Sequence, residues 1–313
     1  MTNEDSVLIS TGIGAWSIEA VSARYPGVRI GELSEHAATA AADTGARRVA
    51  LIGPRPPADG DRAAWERVVL DAEWVHVTSA GIDAIPLDLL QGKVVTCGRG
   101  GGSGPIAEYV VAALLSDWKG FTDIAAGVAP ETRVAAGSTV GFVGFGEIAR
   151  ATAARLAAFD VDMVAVRRTG TELEHGVRRV GSLEELLPLA DALVLAVPLT
   201  DQTRGMIGPA EFAAMSAGVH LVNVARGPVV QTDALIEALH RGTVRRATLD
   251  VTDPEPVPDE HPLKKFPQVT LTGRIAGNSP GVQERIMRRF GHNLGAFLSG
   301  EPMQGAVDLA AGY

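Results

Sequence analysis

One stretch constrains the fold of this chain more than any other: Thr139-Val-Gly-Phe-Val-Gly-Phe-Gly-Glu-Ile-Ala149. Val140, Phe142 and Val143 suit a buried strand, and the alanine-rich run over 148–158 suits a helix. Between them, Gly144-Phe-Gly146-Glu-Ile-Ala149 fits the spacing G-x-G-x-x-G/A. Gly144 makes a tight turn. Gly146 lets a pyrophosphate approach the backbone. Ala149 lets helix and strand pack closely. The helix N-terminus, at Glu147 and Ile148, then faces the phosphates. The spacing alone is weak, because a tight turn in any α/β fold can satisfy it. Here it follows a strand and precedes a helix and a second strand, Val161–Val166, which is the context of a dinucleotide site.

The rest of the chain repeats this alternation. Val7–Ser10, Val49–Ile52, Trp74–Thr78 and Val94–Thr96 read as buried strands, with helices over 15–24, 34–42, 61–71 and 86–90. Alternation on this scale means a parallel α/β sheet. Arg99–Gly104 is glycine-dense and reads as a hinge, because Pro105 then starts a long apolar helix over 105–118. From 139 onward, strands are expected near 139–143, 161–166, 192–197, 219–224, 246–250 and 269–272. Their order matches a doubly wound nucleotide-binding domain. Ser182-Leu-Glu-Glu185 is a capping box, and a final helix is expected near 280–299.

Composition narrows the class. The 313 residues suffice for about two domains, and 46% hydrophobic with 21% charged residues is ordinary for a soluble globular chain. A net charge of −9 without blocks of like charge argues against nucleic acid or an acidic membrane as partner. No apolar run approaches the ~18 residues that span a bilayer. The acidic start, Met-Thr-Asn-Glu-Asp, differs from the basic start of a signal peptide, and the lone Cys97 suits a reducing cytoplasm. The seven histidines are scattered and no C-x-x-C is present, so no metal site is expected.

Two further features bear on ligands. Arg167 and Arg168 end the second strand of the nucleotide-binding segment, where NAD-specific folds place an acidic residue on the ribose hydroxyls. Arginine there accommodates a 2′-phosphate, so NADP is expected, with NAD possible. Ser79-Ala-Gly-Ile-Asp83 follows a strand directly. Its spacing leaves two readings open, a carboxylate-binding loop and a plain turn.

Several motifs in fixed order carry a family resemblance over nearly the whole chain. They are Ala80-Gly-Ile-Asp83, Ile106-Ala-Glu-Tyr109, the glycine turn at 144–149, Val197-Pro-Leu-Thr200 with Thr203, Asn223-Val-Ala-Arg-Gly227, Leu249-Asp-Val251 with Glu255-Pro256, and Val307-Asp308 with Gly312-Tyr313. The chain resembles the D-isomer-specific 2-hydroxyacid dehydrogenases, which include glyoxylate and hydroxypyruvate reductases. The resemblance implies two Rossmann-like doubly wound domains. A cofactor domain (101–284) is inserted into a flavodoxin-like substrate domain (1–100 and 285–313). It also implies a small anionic substrate and a homodimer joined through the cofactor domain.

The resemblance also assigns roles. Ser79, Ala80, Gly81 and Ile82 meet the substrate carboxylate through their backbone. Arg226 grips that carboxylate with a planar fork of donors. Val197, Pro198 and Thr203 lie at the cofactor, as do Val224, Ala225 and Gly277. Asp250 accepts from the nicotinamide carboxamide. Glu255 orients the family's catalytic histidine.

That histidine is missing. The family segment reads Thr-Pro-His, then a hydrophobic residue, Ala or Gly, and Gly, whereas this chain has Thr272-Gly-Arg-Ile-Ala-Gly277, with both the proline and the histidine gone and Arg274 at the histidine position. Reducing a ketone needs hydride on carbon and a proton on oxygen. Histidine gives that proton near neutral pH, whereas arginine, with a pKa above ~12, does not. Four expectations remain open. Arg274 stabilises a developing alkoxide electrostatically while water or another group (His292, for example) supplies the proton. Arg274 and Arg226 together hold a doubly anionic acid. The substrate is an iminium, which accepts hydride without a further proton. Or the protein binds nucleotide without turnover, with Arg274 merely paired to Glu255.

Overall fold

Short apolar runs such as Val-Ala-Leu-Ile in 47–52 and Ala-Leu-Val-Leu in 192–195 are apolar on both sides, which suits strands covered on both faces. The computed structural model describes residues 7–11, 19, 21–23, 25, 28–32, 46–57, 60–168 and 173–313. The helix expected over 34–42 lies outside the described residues, as does most of that over 15–24, although 21–23 are helical. By contact the chain divides into two units, Met1–Gly101 with Pro280–Tyr313, and Gly102–Ser279.

The first unit holds strands β1 (Val7–Thr11), β2 (Arg29–Glu32), β3 (Arg47–Ile52), β4 (Trp74–Val77) and β5 (Val94–Cys97). They pair in parallel in the order β2-β1-β3-β4-β5, the flavodoxin-like order. The edge strand β2 goes beyond the sequence expectation. It contains Gly31 and little apolar pattern, so pairing with β1 makes it a strand. Helix α1 (Arg62–Asp71) packs Trp65, Val68 and Val69 with Ala50, Ile52 and Val75. The alternate residues Val49, Leu51 and Trp74 pack with Phe290, Leu294 and Phe297 from the last helix of the chain. The helix expected over 86–90 is a single 3₁₀ turn, Leu87–Leu90.

The second unit begins with α2 (Ser103–Trp118), two residues ahead of Pro105, and α3 (Phe121–Ala125). Its strands are β6 (Thr139–Val143), β7 (Asp162–Val166), β8 (Arg178–Arg179), β9 (Ala192–Leu195), β10 (Val219–Asn223), β11 (Val244–Leu249) and β12 (Val269–Leu271). Between them lie α4 (Glu147–Leu156), α5 (Leu183–Leu186), α6 (Pro209–Ala214) and α7 (Thr232–Arg241). The chain's last helix, α8 (Val282–Ser299), returns to the first unit.

The sheet order is β12-β11-β10-β9-β6-β7-β8. It reverses direction between β6 and β9, which is the switch point where a doubly wound sheet opens a crevice. The two-residue β8 goes beyond the six strands expected from sequence and extends the sheet to seven. Alternate residues of each strand join different apolar clusters. Val143, Leu193, Leu195 and Leu221 belong to one, and Phe142, Val194 and Val222 to the other, so both faces are covered. The capping box at α5 is half as expected. The Ser182 hydroxyl accepts from Glu185 N at 3.3 Å, while the Glu185 carboxylate accepts from Gly181 N at 2.8 Å, one residue earlier than the reciprocal bond.

Candidate active site

The glycine turn closes β6 at the switch point. Gly144 has φ +87°, and a Cβ there would lie 2.7 Å from Val197 Cγ1 and 2.9 Å from Ala196 O. No other residue fits without moving the neighbouring strand end. Gly146 caps α4, yet a Cβ on it would meet nothing within 4 Å. The protein's own packing does not demand glycine at 146. The open space lies in front of a helix N-terminus, where amides lack intrahelical partners. Such a cradle fits a pyrophosphate. Ala149 is fully buried beside Phe142 and Phe145, as close helix–strand packing requires. Ile148 packs against the same cluster, and the Glu147 carboxylate is held by Arg150 Nη1 at 2.9 Å.

Beyond β7, Arg167 is half-buried and Arg168 exposed. The unforeseen β8 runs alongside, with Arg178 and Arg179 opposite Val164 and Ala165. The Arg179 Nη2 donates to the Arg167 carbonyl at 3.4 Å. Arg179 is therefore brought to the backbone just beyond β7. Sequence reading found the first pair and passed over the second, whose only local signal is a charged dipeptide before Val180.

After β9, Val197 packs on the Gly144 turn and Pro198 follows. The Thr203 hydroxyl donates to Pro198 O at 2.7 Å and accepts from Thr200 N at 2.8 Å, so this side chain shapes the loop. At the end of β10, Asn223 folds the backbone over itself. Its Oδ1 accepts from Ala225 N at 3.0 Å and its Nδ2 donates to Arg226 O at 3.2 Å. Val224 and Ala225 are buried, and Arg226 is half-buried with Nη1 donating to Ala225 O at 2.9 Å. Gly227 admits no Cβ, which would fall 1.9 Å from Thr252 O in the segment after β11.

Asp250, 7% exposed, ends β11 and organises the next strand end. Its Oδ1 accepts from Thr272 Oγ1 at 2.8 Å, Ile275 N at 2.8 Å and Ala276 N at 3.1 Å. Its carbonyl accepts from Arg274 N at 2.8 Å. The loop after β12 thus wraps one carboxylate. Tyr109 of α2 joins the set through a 2.8 Å hydrogen bond between its hydroxyl and that of Thr272. Within this loop Gly273 has φ +63° and Arg274 φ +68°. The left-handed region is rare for a residue with a side chain and costs roughly 1–3 kcal/mol. The Arg274 Nε donates to Glu255 Oε1 in an ion pair whose side chains are 43% and 24% exposed. Gly277 lies against Ile106. Arg226, Asp250 and Arg274 therefore occupy the carboxyl ends of three adjacent strands, β10, β11 and β12.

In the first unit, the loop after β4 holds Ser79–Ile82. Its carbonyls are all engaged. Ser79 O accepts from Gly98 N at 2.8 Å, Ala80 O from Cys97 Sγ at 3.3 Å, Gly81 O from Ser79 Oγ at 2.6 Å, and Ile82 O from Ile85 N at 2.8 Å. None of its four amides donates a hydrogen bond among the described residues. A loop with carbonyls tied back and amides left over has the polarity an anion needs. Cys97 is buried, and His292 is exposed on α8. Among the described residues no cluster of His, Cys, Asp or Glu is placed to hold a metal ion, and no helix is long and apolar enough to cross a membrane.

Comparison with known proteins agrees with this architecture. A family profile described as "D-isomer specific 2-hydroxyacid dehydrogenase, NAD binding domain" matches residues 119–276. A glyoxylate reductase of Thermofilum pendens is 39% identical over 168 residues, which are 53% of this chain and 50% of that protein. The chain spans about half the length of the curated relatives it matches. A D-isomer specific 2-hydroxyacid dehydrogenase from Xanthobacter autotrophicus, solved with NADPH and MES, superposes with a TM-score of 0.82 at 27% identity, covering 98% of this chain and 99% of that one. An NADPH-dependent glyoxylate/hydroxypyruvate reductase from Sinorhizobium meliloti, solved with NADP and sulfate, gives a TM-score of 0.81 at 25% identity, covering 98% and 99%. The match over 119–276, together with the glycine turn and the three strand ends it contains, means that the chain belongs to the D-isomer specific 2-hydroxyacid dehydrogenase family.

Proposed function

We propose that this protein is an NADPH-preferring reductase of small 2-oxo acids to D-2-hydroxy acids, working without the usual histidine acid. The carrying observation is the row of Arg226, Asp250 and Arg274 on adjacent strand ends in the unit whose switch point bears the Gly144–Ala149 turn. The relatives named glyoxylate reductase, and the two related structures solved with NADPH or NADP, support the reading.

The unit Gly102–Ser279 holds the cofactor and Met1–Gly101 with Pro280–Tyr313 meets the substrate. The amides of Glu147 and Ile148, with Gly144 and Gly146, receive the pyrophosphate. Arg167 and Arg168 receive the 2′-phosphate, with Arg179 beside them. Val197, Pro198, Thr203, Val224, Ala225 and Gly277 line the remaining cofactor surface. Asp250 lies at the nicotinamide end. When bound, the reduced nicotinamide supplies the hydride that becomes the new C–H bond. Arg226 binds the substrate carboxylate, and in the other unit the amides of Ser79–Ile82 form an anion-binding loop for the substrate. Arg274 faces the developing alkoxide as a fixed positive charge, Glu255 holds its guanidinium in place, and the oxygen takes its proton from water.

The cofactor assignment predicts tighter binding of NADPH than of NADH in a fluorescence titration. Arg167→Asp should narrow that gap, and tighter NADH binding by the native protein would sink the assignment. The reaction assignment predicts turnover with NADPH and glyoxylate or hydroxypyruvate. Tight NADPH binding with no turnover on any 2-oxo acid or pre-formed imine would instead make this a nucleotide-binding protein. The exposed Arg274 guanidinium favours one second reading, a doubly anionic oxo acid. It requires higher kcat/KM on 2-oxo dicarboxylates than on glyoxylate.

The partner is a second copy of the chain. Phe121, Ile124, Val128 and Val134 are 63%, 60%, 44% and 68% exposed over one short stretch of the cofactor unit. Apolar side chains this dense on a surface favour burial in an interface. Light scattering should give a dimer for the native protein and a monomer for Phe121→Asp combined with Ile124→Asp. A native monomer at micromolar concentration would remove the proposal. The reduced, buried Cys97 fits a cytoplasmic location.

A further inference from the structure

The geometry points to Tyr109 as a positioning residue for Arg274, acting through Thr272 and Asp250. This inference rests on the reductase reading above.

The direction of the hydrogen bonds carries the argument. The Thr272 hydroxyl spends its proton on Asp250 Oδ1 at 2.8 Å. Its oxygen is therefore the acceptor in the 2.8 Å contact with Tyr109, and Tyr109 is the donor. Burial, ahead of the nearby Asp250 charge and against the bond with Thr272, pushes the Tyr109 phenol up to about 12. It therefore keeps its proton at any working pH. The chain Tyr109–Thr272–Asp250 joins α2 to the ends of β11 and β12.

Everything that shapes the Arg274 loop meets the same carboxylate. Thr272, Ile275 and Ala276 all donate to Asp250 Oδ1, and the Arg274 amide donates to the Asp250 carbonyl. Gly273 and Arg274 are held in successive left-handed conformations that nothing local favours in Arg274. An arginine serving as a fixed charge needs its Cα and its first side-chain torsion settled before substrate arrives. Asp250 does this directly for 274–276. Tyr109 orients the Thr272 hydroxyl at the entry to the loop, so Asp250 always receives that hydrogen bond. The competing reading is that Tyr109 only packs α2 against the sheet. That role belongs to the ring and would survive loss of the hydroxyl.

Tyr109→Phe separates the two. It keeps the ring and removes one hydrogen bond, an effect of about 3- to 10-fold. We expect kcat on the best 2-oxo acid to fall by that factor, with KM for NADPH unchanged. In an Arg274→Gln background the same substitution should have no further effect, because the residue it positions is gone. Amide hydrogen exchange at Ile275 and Ala276 should quicken by a similar factor, and Thr272→Val should reproduce this. Equal kcat losses in both backgrounds, or unchanged exchange in both variants, would overturn the proposal. If the native protein turns over no 2-oxo acid, the reductase reading fails by itself, and the exchange rates alone decide whether Tyr109 positions the loop.

Discussion

Arg274→His is expected to raise 2-oxo acid reduction at least ~10-fold, read as NADPH oxidation with glyoxylate or hydroxypyruvate, since general acid catalysis is typically worth ~10²–10⁴-fold. The backbone is ready for the change. Position 274 has φ +68°, a region where histidine is among the few side chains enriched. The loop is anchored by the Arg274 amide, Ile275 N and Ala276 N on Asp250, none of which involves the Arg274 side chain. Glu255 already stands at that side chain. A carboxylate beside an imidazole favours its protonated form and orients the ring. The pH profile provides a second reading. The histidine variant should lose rate as pH rises through its imidazole pKa, because the acid form is the donor. No gain in rate would mean that the pocket departs from the family in more than this residue.

Asp117→Asn should destabilise the protein by about 3–5 kcal/mol, the usual result of stripping one partner from a buried ion network. Total stabilities run at about 5–15 kcal/mol, so the effect is large. Asp117 is 1% exposed at the end of α2. Arg245 grips it with both terminal nitrogens, at 2.8 and 2.6 Å, and Arg246 Nε donates to it at 3.2 Å while also pairing with Asp123. His220 Nδ1 lies 3.3 Å away, and His220 Nε2 meets Thr248 Oγ1 at 2.9 Å. Urea unfolding should show a lower midpoint with an unchanged slope. A loss below about 1 kcal/mol, the size of a surface ion pair, would mean that the arginines find other partners.

The acid side offers an independent check. Burial raises the Asp117 carboxyl, but the bonds from His220 and Arg245 outweigh it and hold the group well below the usual carboxylate range. A depressed carboxyl contributes its full stability above the unfolded value of ~3.9 and loses it as pH falls below that. His220 adds to the slope. Burial foremost keeps it neutral when folded, while the unfolded imidazole takes up a proton near ~6.5, so stability falls as pH drops from there. The Asn variant should lack the carboxylate part of this decline.

The residues of the glycine turn were legible because their meaning is local. Gly144, Gly146 and Ala149 act within six residues of chain, and a turn that excludes side chains leaves its mark in the sequence. Arg226, Asp250 and Glu255 were singled out differently, through the family resemblance of the motifs that hold them, and the fold places the first two at the ends of adjacent strands. The expectation for Arg274 rests on its place in the segment Thr272-Gly-Arg-Ile-Ala-Gly277, where both the proline and the histidine of the family pattern are replaced. The sequence by itself thus determined the parallel sheets and the switch-point turn. Tertiary structure alone decided the rest. The strands β2 and β8 exist because a neighbour pairs with them, and β8 brings Arg179 to the carbonyl of Arg167. Tyr109 meets Thr272 across 163 positions, and Asp117 meets Arg245 across 128. Such contacts leave no periodicity to read. Their partners belong to different elements, and only the packing of a helix onto a finished sheet brings a hydroxyl or a carboxylate within hydrogen-bond reach.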